Sequence, residues 1–362
     1  MRTWYNKHMK TLQHNKEQFV EALLAWYDEN ARILPWRSLP TPYRVWVSEI
    51  MLQQTRVEAV KPYFERFMQA FPTLSSLAEA KDDELVKVWE GLGYYRRVSN
   101  MKKCAQQCME HFHGELPSTY EELLTLAGIG SYTAGAIASI AFRQPVAAVD
   151  GNVLRVFSRI LISKDDISKE ATKKKFHELI NEYIPKDRPD AFNQALMEIG
   201  AMICVPNSAP RCNICPLAAH CLGYQSGEAH ALPIKSGKKK RRIEEKTVVV
   251  MVCEDQCYLQ KRPEQGLLAN LYEFYMFHQF LSKAEVEKHF QEQYEIVQTL
   301  SLLDAKHIFS HVEWHMKGFL IEIKPKDQLT GLWVKKQELK DTYALPSAYK
   351  VYKEALDIYW RR

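Results

Sequence analysis

Four cysteines crowd into one short stretch of the chain: Cys204, Cys212, Cys215 and Cys221, spaced C-x7-C-x2-C-x5-C. Thiolates are soft ligands that suit zinc or an iron–sulfur cluster. Four-cysteine zinc sites often use two C-x2-C pairs, and only Cys212 and Cys215 form one here, so the spacing leans to iron–sulfur and leaves zinc open. Four unrelated buried thiols are the bland alternative. Cys104 and Cys108 stand four apart on a predicted helix, and Cys253 and Cys257 flank a predicted turn. Both pairs read as core or surface thiols.

A second candidate lies upstream, in LPSTYEELLTLAGIGSYTAGAIASIAF (Leu116 to Phe142). It reads as helix, tight Gly-Ile-Gly turn, helix. Gly128 and Gly130 are expected to take positive φ and let the backbone approach a ligand closely. The turn opens onto a helix N-terminus, where free N–H groups and the dipole favour an anion such as a DNA phosphate. G-x-G alone also fits a plain helical turn. Past it comes VDGNVLRVFSR, with Asp150 just ahead of another predicted helix. Capping is the common role of such an Asp; a carboxylate facing a cleft could also do chemistry.

The elements that must hold these groups follow from the rest of the chain. At roughly 150 residues per domain, 362 residues suggest two domains, perhaps three. With 46% hydrophobic and 26% charged residues the chain is ordinary globular protein, not disordered and not a disulfide scaffold. No apolar run reaches the ~20 residues of a membrane span. The polar, aromatic N-terminus has no signal core, so a cytoplasmic, nucleoid-associated location with reduced thiols is expected. The net charge of +5 permits a polyanionic partner without demanding one. KSGKKKRR, Lys235 to Arg242, concentrates that charge and reads as a basic linker able to touch phosphate.

Residues 226–246 read as an exposed linker between two blocks: a helical domain over 1–225 and an α+β domain over 247–362. Helical periodicity runs over Glu17–Asn30, from a Thr41-Pro42 start through VWVSEIMLQQTRVEAVKPYFERF with a break expected at Pro62, and over Asp82–Trp89, Val98–Phe112, Thr119–Leu126, Tyr132–Phe142 and Asn152–Leu161. After the linker, TVVVMVC and CYLQKR read as a strand pair, VEWHMKGFLIEIK as strands with a turn at Lys317-Gly318, and Ala284–Gln293 and Ser347–Tyr359 as helices.

The order of parts — helix-hairpin-helix, Pro/Gly loop, Asp, four cysteines — resembles the helix-hairpin-helix DNA glycosylase superfamily that includes endonuclease III. LPWR (Leu34–Arg37), PYRVWVSEIMLQQTRVEAV (Pro42–Val60), GLGYYRR (Gly91–Arg97), GIGSYTAGAIASIAF and VDGNVLRV resemble MutY-type adenine DNA glycosylases more closely still. YLQKRPEQGLLANLYEF and HIFSHVEWHM resemble that family's MutT-like (Nudix-like) C-terminal domain. The resemblance implies a multidomain fold, an all-α glycosylase domain followed by an α+β MutT-like one.

It also implies a monomeric enzyme that binds duplex DNA, flips out adenine paired with 8-oxoguanine or guanine, and hydrolyses its N-glycosidic bond. One [4Fe-4S] cluster would sit on Cys204, Cys212, Cys215 and Cys221. Glu49 matches the general acid that protonates adenine at N7, and apolar neighbours in sequence would raise its pKa. Asp150 matches the carboxylate that stabilises or traps the sugar cation, kept ionised by the helix start behind it. Asn152 matches a polar pocket residue. Tyr132 stands where lyase relatives carry an imine-forming Lys, which implies a monofunctional enzyme, and its phenol is expected near Asp150. Gln54 and Tyr94 match residues that fill the gap and probe the opposite base, and Thr55 is expected to contact DNA; Arg37, with Trp36, matches pocket lining. Phe309, Ser310 and His311 match the loop that inspects 8-oxoguanine.

Two departures stand out. The Cys204–Cys212 interval holds one residue more than the family's usual six. Asn270, Tyr272 and Tyr275 replace the family's usual Gly, Trp and Pro. The C-terminal domain lacks the REUxEExG metal box, which argues against nucleotide pyrophosphatase activity. An endonuclease III-like lyase and a non-catalytic DNA-binding iron–sulfur protein are the other readings; Tyr132 speaks against the first and the Glu49–Asp150 pair against the second.

Overall fold

The structure, a computed structural model, describes residues 16–206, 209–237 and 240–361. The N-terminal segment used to argue against a signal sequence, part of the Cys204–Cys212 loop and part of the basic run therefore lie outside the described residues. No helix among them is long and apolar enough to cross a membrane. The chain forms two compact units: Met1–Glu79 with Asn100–Gly237, and Ala80–Ser99 with Lys238–Arg362. The stretch 80–99, read from sequence as part of the helical block, clusters with the C-terminal part.

The first unit is helical: α1 (Lys16–Asn30), α2 (Pro42–Leu52), α3 (Val57–Ala70) and α4 (Leu74–Glu79) precede the excursion to the second unit. That excursion carries α5 (Asp82–Val88) and the start of α6 (Arg96–His111). Then come α7 (Tyr120–Leu123), α8 (Ser131–Ile140), α9 (Gly151–Ile160), α10 (Glu170–Asn181), α11 (Pro189–Met202) and α12 (Leu222–Gln225). The α2 start is as its residues predict: Pro42 takes the first helical position and the Thr41 hydroxyl accepts the Arg44 N–H. The break between α2 and α3 does not fall at Pro62, which sits inside α3. It falls at residues 53–56, where Gln54 adopts a φ of 61° and no α-helix can continue.

The core gathers around α9, whose residues Val153 to Ile160 are all buried. Phe19 and Leu23 of α1, Phe176 and Ile180 of α10, and Phe192, Leu196 and Ile199 of α11 pack against it. A helix buried on every side is a rigid post, and its N-terminus is where Asp150 stands.

The second unit is built on a mixed sheet: β1 (Arg242–Cys253), β2 (Gln256–Lys261), β3 (Tyr272–Glu273), β4 (Tyr275–Phe277), β5 (Tyr294–Ile308), β6 (Val312–Pro325) and β7 (Leu332–Lys335), in the order β3-β2-β1-β6-β5. β1 and β6 run parallel along their length, with Val248 opposite Gly318. One face of β1 (Val248, Val250, Val252) packs with Trp314, Tyr349, Tyr352 and Leu356; the other (Val249, Met251) packs with Val286, Phe290, Phe319 and Ile321. The helices covering it are α13 (Lys283–Phe290), α14 (Lys336–Asp341) and α15 (Lys350–Tyr359).

Two strand readings are corrected. β6 runs straight through Lys317-Gly318 with no turn. Gly318 is there because a Cβ would stand 2.2 Å from a ring carbon of Tyr352. β1 begins at Arg242, so residues 242–246 are strand and not linker, and Lys246 is buried.

Candidate active site

Every residue from Val45 to Met51 in α2 is buried, Glu49 among them at 6% exposed. The Gln53 side-chain amide donates to Thr133 Oγ1 at 3.3 Å, tying the end of α2 to the first turn of α8. In that same turn Tyr132 donates its phenol to Glu49 Oε2 in a short hydrogen bond, and the phenol oxygen lies 3.8 Å from Met197 Sδ. Tyr132 was expected near Asp150, whose charge does reach its phenol, but its hydrogen bond goes to Glu49. Burial pushes the Glu49 carboxyl up to about 7. The charge of Asp150 adds to the rise, while the Tyr132 hydrogen bond and the charge of Arg37 oppose it.

Asp150 is the N-cap of α9, and its carboxylate accepts the Val153 N–H at 2.8 Å. Its other oxygen accepts from the Asn152 amide at 2.6 Å. Capping and a place in the site are thus one position. Burial raises the pKa of this carboxyl, against the three hydrogen bonds from Val153 and Asn152 that lower it. Asn152 is held in turn by Arg155, whose guanidinium donates to Asn152 Oδ1 (2.8 Å), to Gly200 O (2.7 Å) and to Cys204 O (2.8 Å).

Arg37 is not an open donor. Its guanidinium bonds Glu198 Oε1 at 2.8 Å and Arg32 O at 3.0 Å. Arg32 completes a fork onto the same carboxylate at 2.6 and 2.9 Å. Glu198 is 1% exposed, so two guanidinium groups converge on one buried anion. Trp36, also expected as lining, is core, with its ring 5.5 Å from that of Phe64. Sequence reasoning missed Arg32, Glu198 and Arg155. A buried charge on α11, in FNQALMEIG, was the only visible signal.

The profile of the HhH-GPD superfamily of base excision DNA repair proteins matches residues 47–182, and that of the NUDIX domain matches residues 247–355. An adenine DNA glycosylase of Schizosaccharomyces pombe is 33% identical, the alignment covering 96% of this chain and 91% of that one. One from Buchnera aphidicola subsp. Schizaphis graminum is 34% identical over 90% and 94%. The chain belongs to the adenine DNA glycosylases. Among solved structures, a thermostable thymine-DNA glycosylase superposes with a TM-score of 0.53 at 26% identity, covering 59% of this chain and 98% of that one. Endonuclease III in a trapped DNA complex shares the fold at a TM-score of 0.51 and 22% identity, over 60% and 98%. This adenine DNA glycosylase is therefore a hydrolase of base excision repair that binds DNA, built from a helical HhH-GPD domain and a Nudix-like one.

The glycosylase's hairpin turn differs in one detail from its expected form. Gly128 has a φ of 77°, and a Cβ there would stand 2.8 Å from Asn100 Cβ. Gly130 is instead extended, at φ −96°. It caps α8 without a side-chain hydrogen bond.

The four cysteines are free thiols, and each faces others of the set electrostatically. No group of three or more His, Cys, Asp or Glu among the described residues is gathered tightly enough for a single metal ion. Four thiolates are a donor set whose soft sulfurs fit an iron–sulfur cluster and can take hydrogen bonds from protein. The Leu217 N–H faces the Cys215 sulfur, the Gly223 and Tyr224 N–H groups face that of Cys221, and Arg159 donates to Cys204 Sγ at 3.2 Å.

Of the residues expected to meet DNA, Gln54 is exposed on its positive-φ turn, and Thr55 Oγ1 donates to Gln53 O at 3.3 Å. In the second unit Tyr94 is 52% exposed with a φ of 50°. Phe309, Ser310 and His311 form the tip between β5 and β6. Ser310 and His311 are exposed, whereas the Phe309 ring packs against Trp314 at 4.9 Å and is not presented outward. Beside this tip a cavity of about 820 Å³ is lined by Arg242, Glu244, Lys246, Arg262, His278 and Trp314. Its cations are paired within the protein: Arg242 and Lys246 with Glu244, Arg262 with Glu273.

The site tolerates little added bulk. A Cβ on Gly200 would stand 2.6 Å from Asn152 Cβ. Gly200→Ala is expected to cost about 1–3 kcal/mol by overpacking and, by displacing Asn152 from Asp150, to slow base release as well. Thermal unfolding and single-turnover assays check both; wild-type values in each would contradict the packing described.

Proposed function

We propose that this glycosylase removes adenine paired with 8-oxoguanine or guanine, with Glu49 as general acid and Asp150 as the group that stabilises the sugar cation. The observation that carries the reading is one buried carboxyl poised to hold a proton near neutrality, bonded to Tyr132, with a second carboxylate close enough to raise its pKa. Adenine is out of reach in a duplex and must leave the stack at a cost of a few kcal/mol. Glu49 gives its proton to N7, so the C1′–N9 electron pair departs with a neutral base. The oxocarbenium sugar left behind meets the Asp150 carboxylate, and water then adds to C1′. Asn152 and Arg155 hold Asp150 in place. Tyr132 has no amine to form an imine with the abasic sugar, so the strand stays intact.

Gln54 and Tyr94 fill the gap and probe the opposite base, Thr55 contacts DNA, and the turn at Gly128 and Gly130 grips phosphate. Ser310 and His311 inspect 8-oxoguanine. Cys204, Cys212, Cys215 and Cys221 would hold a [4Fe-4S] cluster, whose four iron–thiolate bonds would fix their loop and present Arg211 to phosphate.

Single-turnover assays on duplexes with adenine opposite 8-oxoguanine, guanine or thymine test this. Release should be fastest opposite 8-oxoguanine, with strand breaks only after alkali. Ser310→Ala should lower the 8-oxoguanine preference by roughly two- to tenfold, the worth of one hydrogen bond. Breaks without alkali, or equal release opposite thymine, would overturn the reading.

A further inference from the structure

The loop that carries Tyr94 is held at both ends. On its own side, Trp89 Nε1 donates to Gly93 O at 2.9 Å and Arg97 donates to Gly93 O at 3.1 Å. The Arg97 guanidinium lies 5.3 Å from the Tyr94 ring and 5.3 Å from that of Trp89. Gly91, Gly93 and Tyr94 all have positive φ, at 96°, 74° and 50°. Positive φ is free for the two glycines and costly for Tyr94, whose backbone persists there only where its surroundings over-determine it.

The other end is fixed by the C-terminal fold. Asp83, Lys87 and Glu90 recur at spacings of four and three, one stripe along α5 and the turn that follows it. Asp83 accepts from the Tyr272 hydroxyl at 3.1 Å and pairs with Lys261 at 3.3 Å. Lys87 Nζ donates to Leu339 O and Tyr343 O, each at 3.2 Å, where α14 ends. A cation there also meets the negative end of the helix. Lys87 pairs with Glu90 at 2.8 Å, and Glu90 in turn accepts the Leu345 N–H at 3.0 Å and faces Lys353 at 3.6 Å. Both side chains are largely buried, at 16% and 22% exposed.

We propose that Lys87 and Glu90 are positioning residues through which the C-terminal fold sets Tyr94, so that discrimination of the base opposite adenine depends on this clasp. The clasp touches no substrate. It converts the folding of residues 339–353 into a fixed stem for a loop whose tip is exposed. This rests on the proposed role of Tyr94 as the probe of the opposite base.

The test uses the full chain. Single-turnover rates are measured opposite 8-oxoguanine and guanine for wild type, Lys87→Met, Lys87→Arg, Glu90→Gln, Tyr94→Ala and the Lys87→Met/Tyr94→Ala double variant, with thermal unfolding of each. Lys87→Met and Glu90→Gln should lower the 8-oxoguanine-to-guanine ratio roughly three- to tenfold, and Lys87→Arg should restore most of it. The double variant should discriminate no worse than Tyr94→Ala alone, because residues that act as one unit are not additive. If Tyr94→Ala lowers the ratio while Lys87→Met and Glu90→Gln leave it at the wild-type value, the clasp is overturned and the wedge stands. A multiplicative double variant also overturns it, since a structural lesion alone would act that way. No effect of Tyr94→Ala removes the probe and the clasp together. Absence of adenine release by wild type overturns the proposed function itself.

Discussion

Glu49→Gln lowers the single-turnover rate of adenine release by roughly 10²–10⁴-fold, the usual worth of a positioned general acid, and leaves duplex binding near wild type. Gln keeps the shape and can still accept the Tyr132 hydroxyl, so the loss reports the missing proton and not a collapsed pocket. The same change should stabilise the fold. In the native chain this carboxyl keeps its proton up to about 7, against 4.5 for the free group. As pH rises through that window the unfolded chain sheds a proton that the native chain retains, and stability falls. A shift of that size corresponds to about 3 kcal/mol above pH 7. Gln has no proton to lose, so the variant should gain in thermal stability at pH 8 and gain little at pH 4. Calorimetry at both values reads the difference. Stabilisation at pH 4 equal to that at pH 8 would show that burial of the charge is not the cause.

Asp150→Asn is the second large effect. It removes the negative charge proposed to face the sugar cation, and loss of one aimed electrostatic group typically costs roughly 10²–10³-fold in rate. Asn caps helices as well as Asp does, so α9 should persist. The local cost lies elsewhere. Val153 N–H and the Asn152 amide each donate to a different oxygen of Asp150. Asn offers one oxygen, so one donor is left facing an NH₂ group at about 1 kcal/mol or more. The expected result is therefore a deep loss of activity with a small fall in Tm. A full loss of folded protein, or a rate within a few-fold of wild type, would contradict the role assigned to this carboxylate.

Local chemistry was legible in the sequence and long-range chemistry was not. The capped α2 start, the Gly128 turn and the Asp150 cap all rest on residues within a few positions of one another, and they stand where their neighbours predict. Glu49, Tyr132 and Asp150 converge from three helices, and only the motif resemblance linked them. The Arg32–Glu198–Arg37 cluster joins residues more than 160 apart, and no periodicity announces such a contact. Arg155 and Arg159 drew no notice in the sequence, yet both are buried because each finds backbone carbonyls as acceptors. β5 was missed because its burial alternates weakly and two register shifts interrupt its pairing. The α5 segment read as one more helix of the helical block. Asp83 of its polar stripe meets Tyr272 and Lys261, and the partners of Lys87 and Glu90 beyond the stripe are in place only once residues 339–353 have folded.

The pH dependence of single-turnover adenine release from a duplex with adenine opposite 8-oxoguanine bears most directly on the central claim, a proton held by a buried Glu49. The rate is expected to fall as pH rises through about 7, approaching tenfold per pH unit, and this limb to disappear in the residual activity of Glu49→Gln. A wild-type rate that is flat or rising between about pH 5.5 and 8.5 would contradict it.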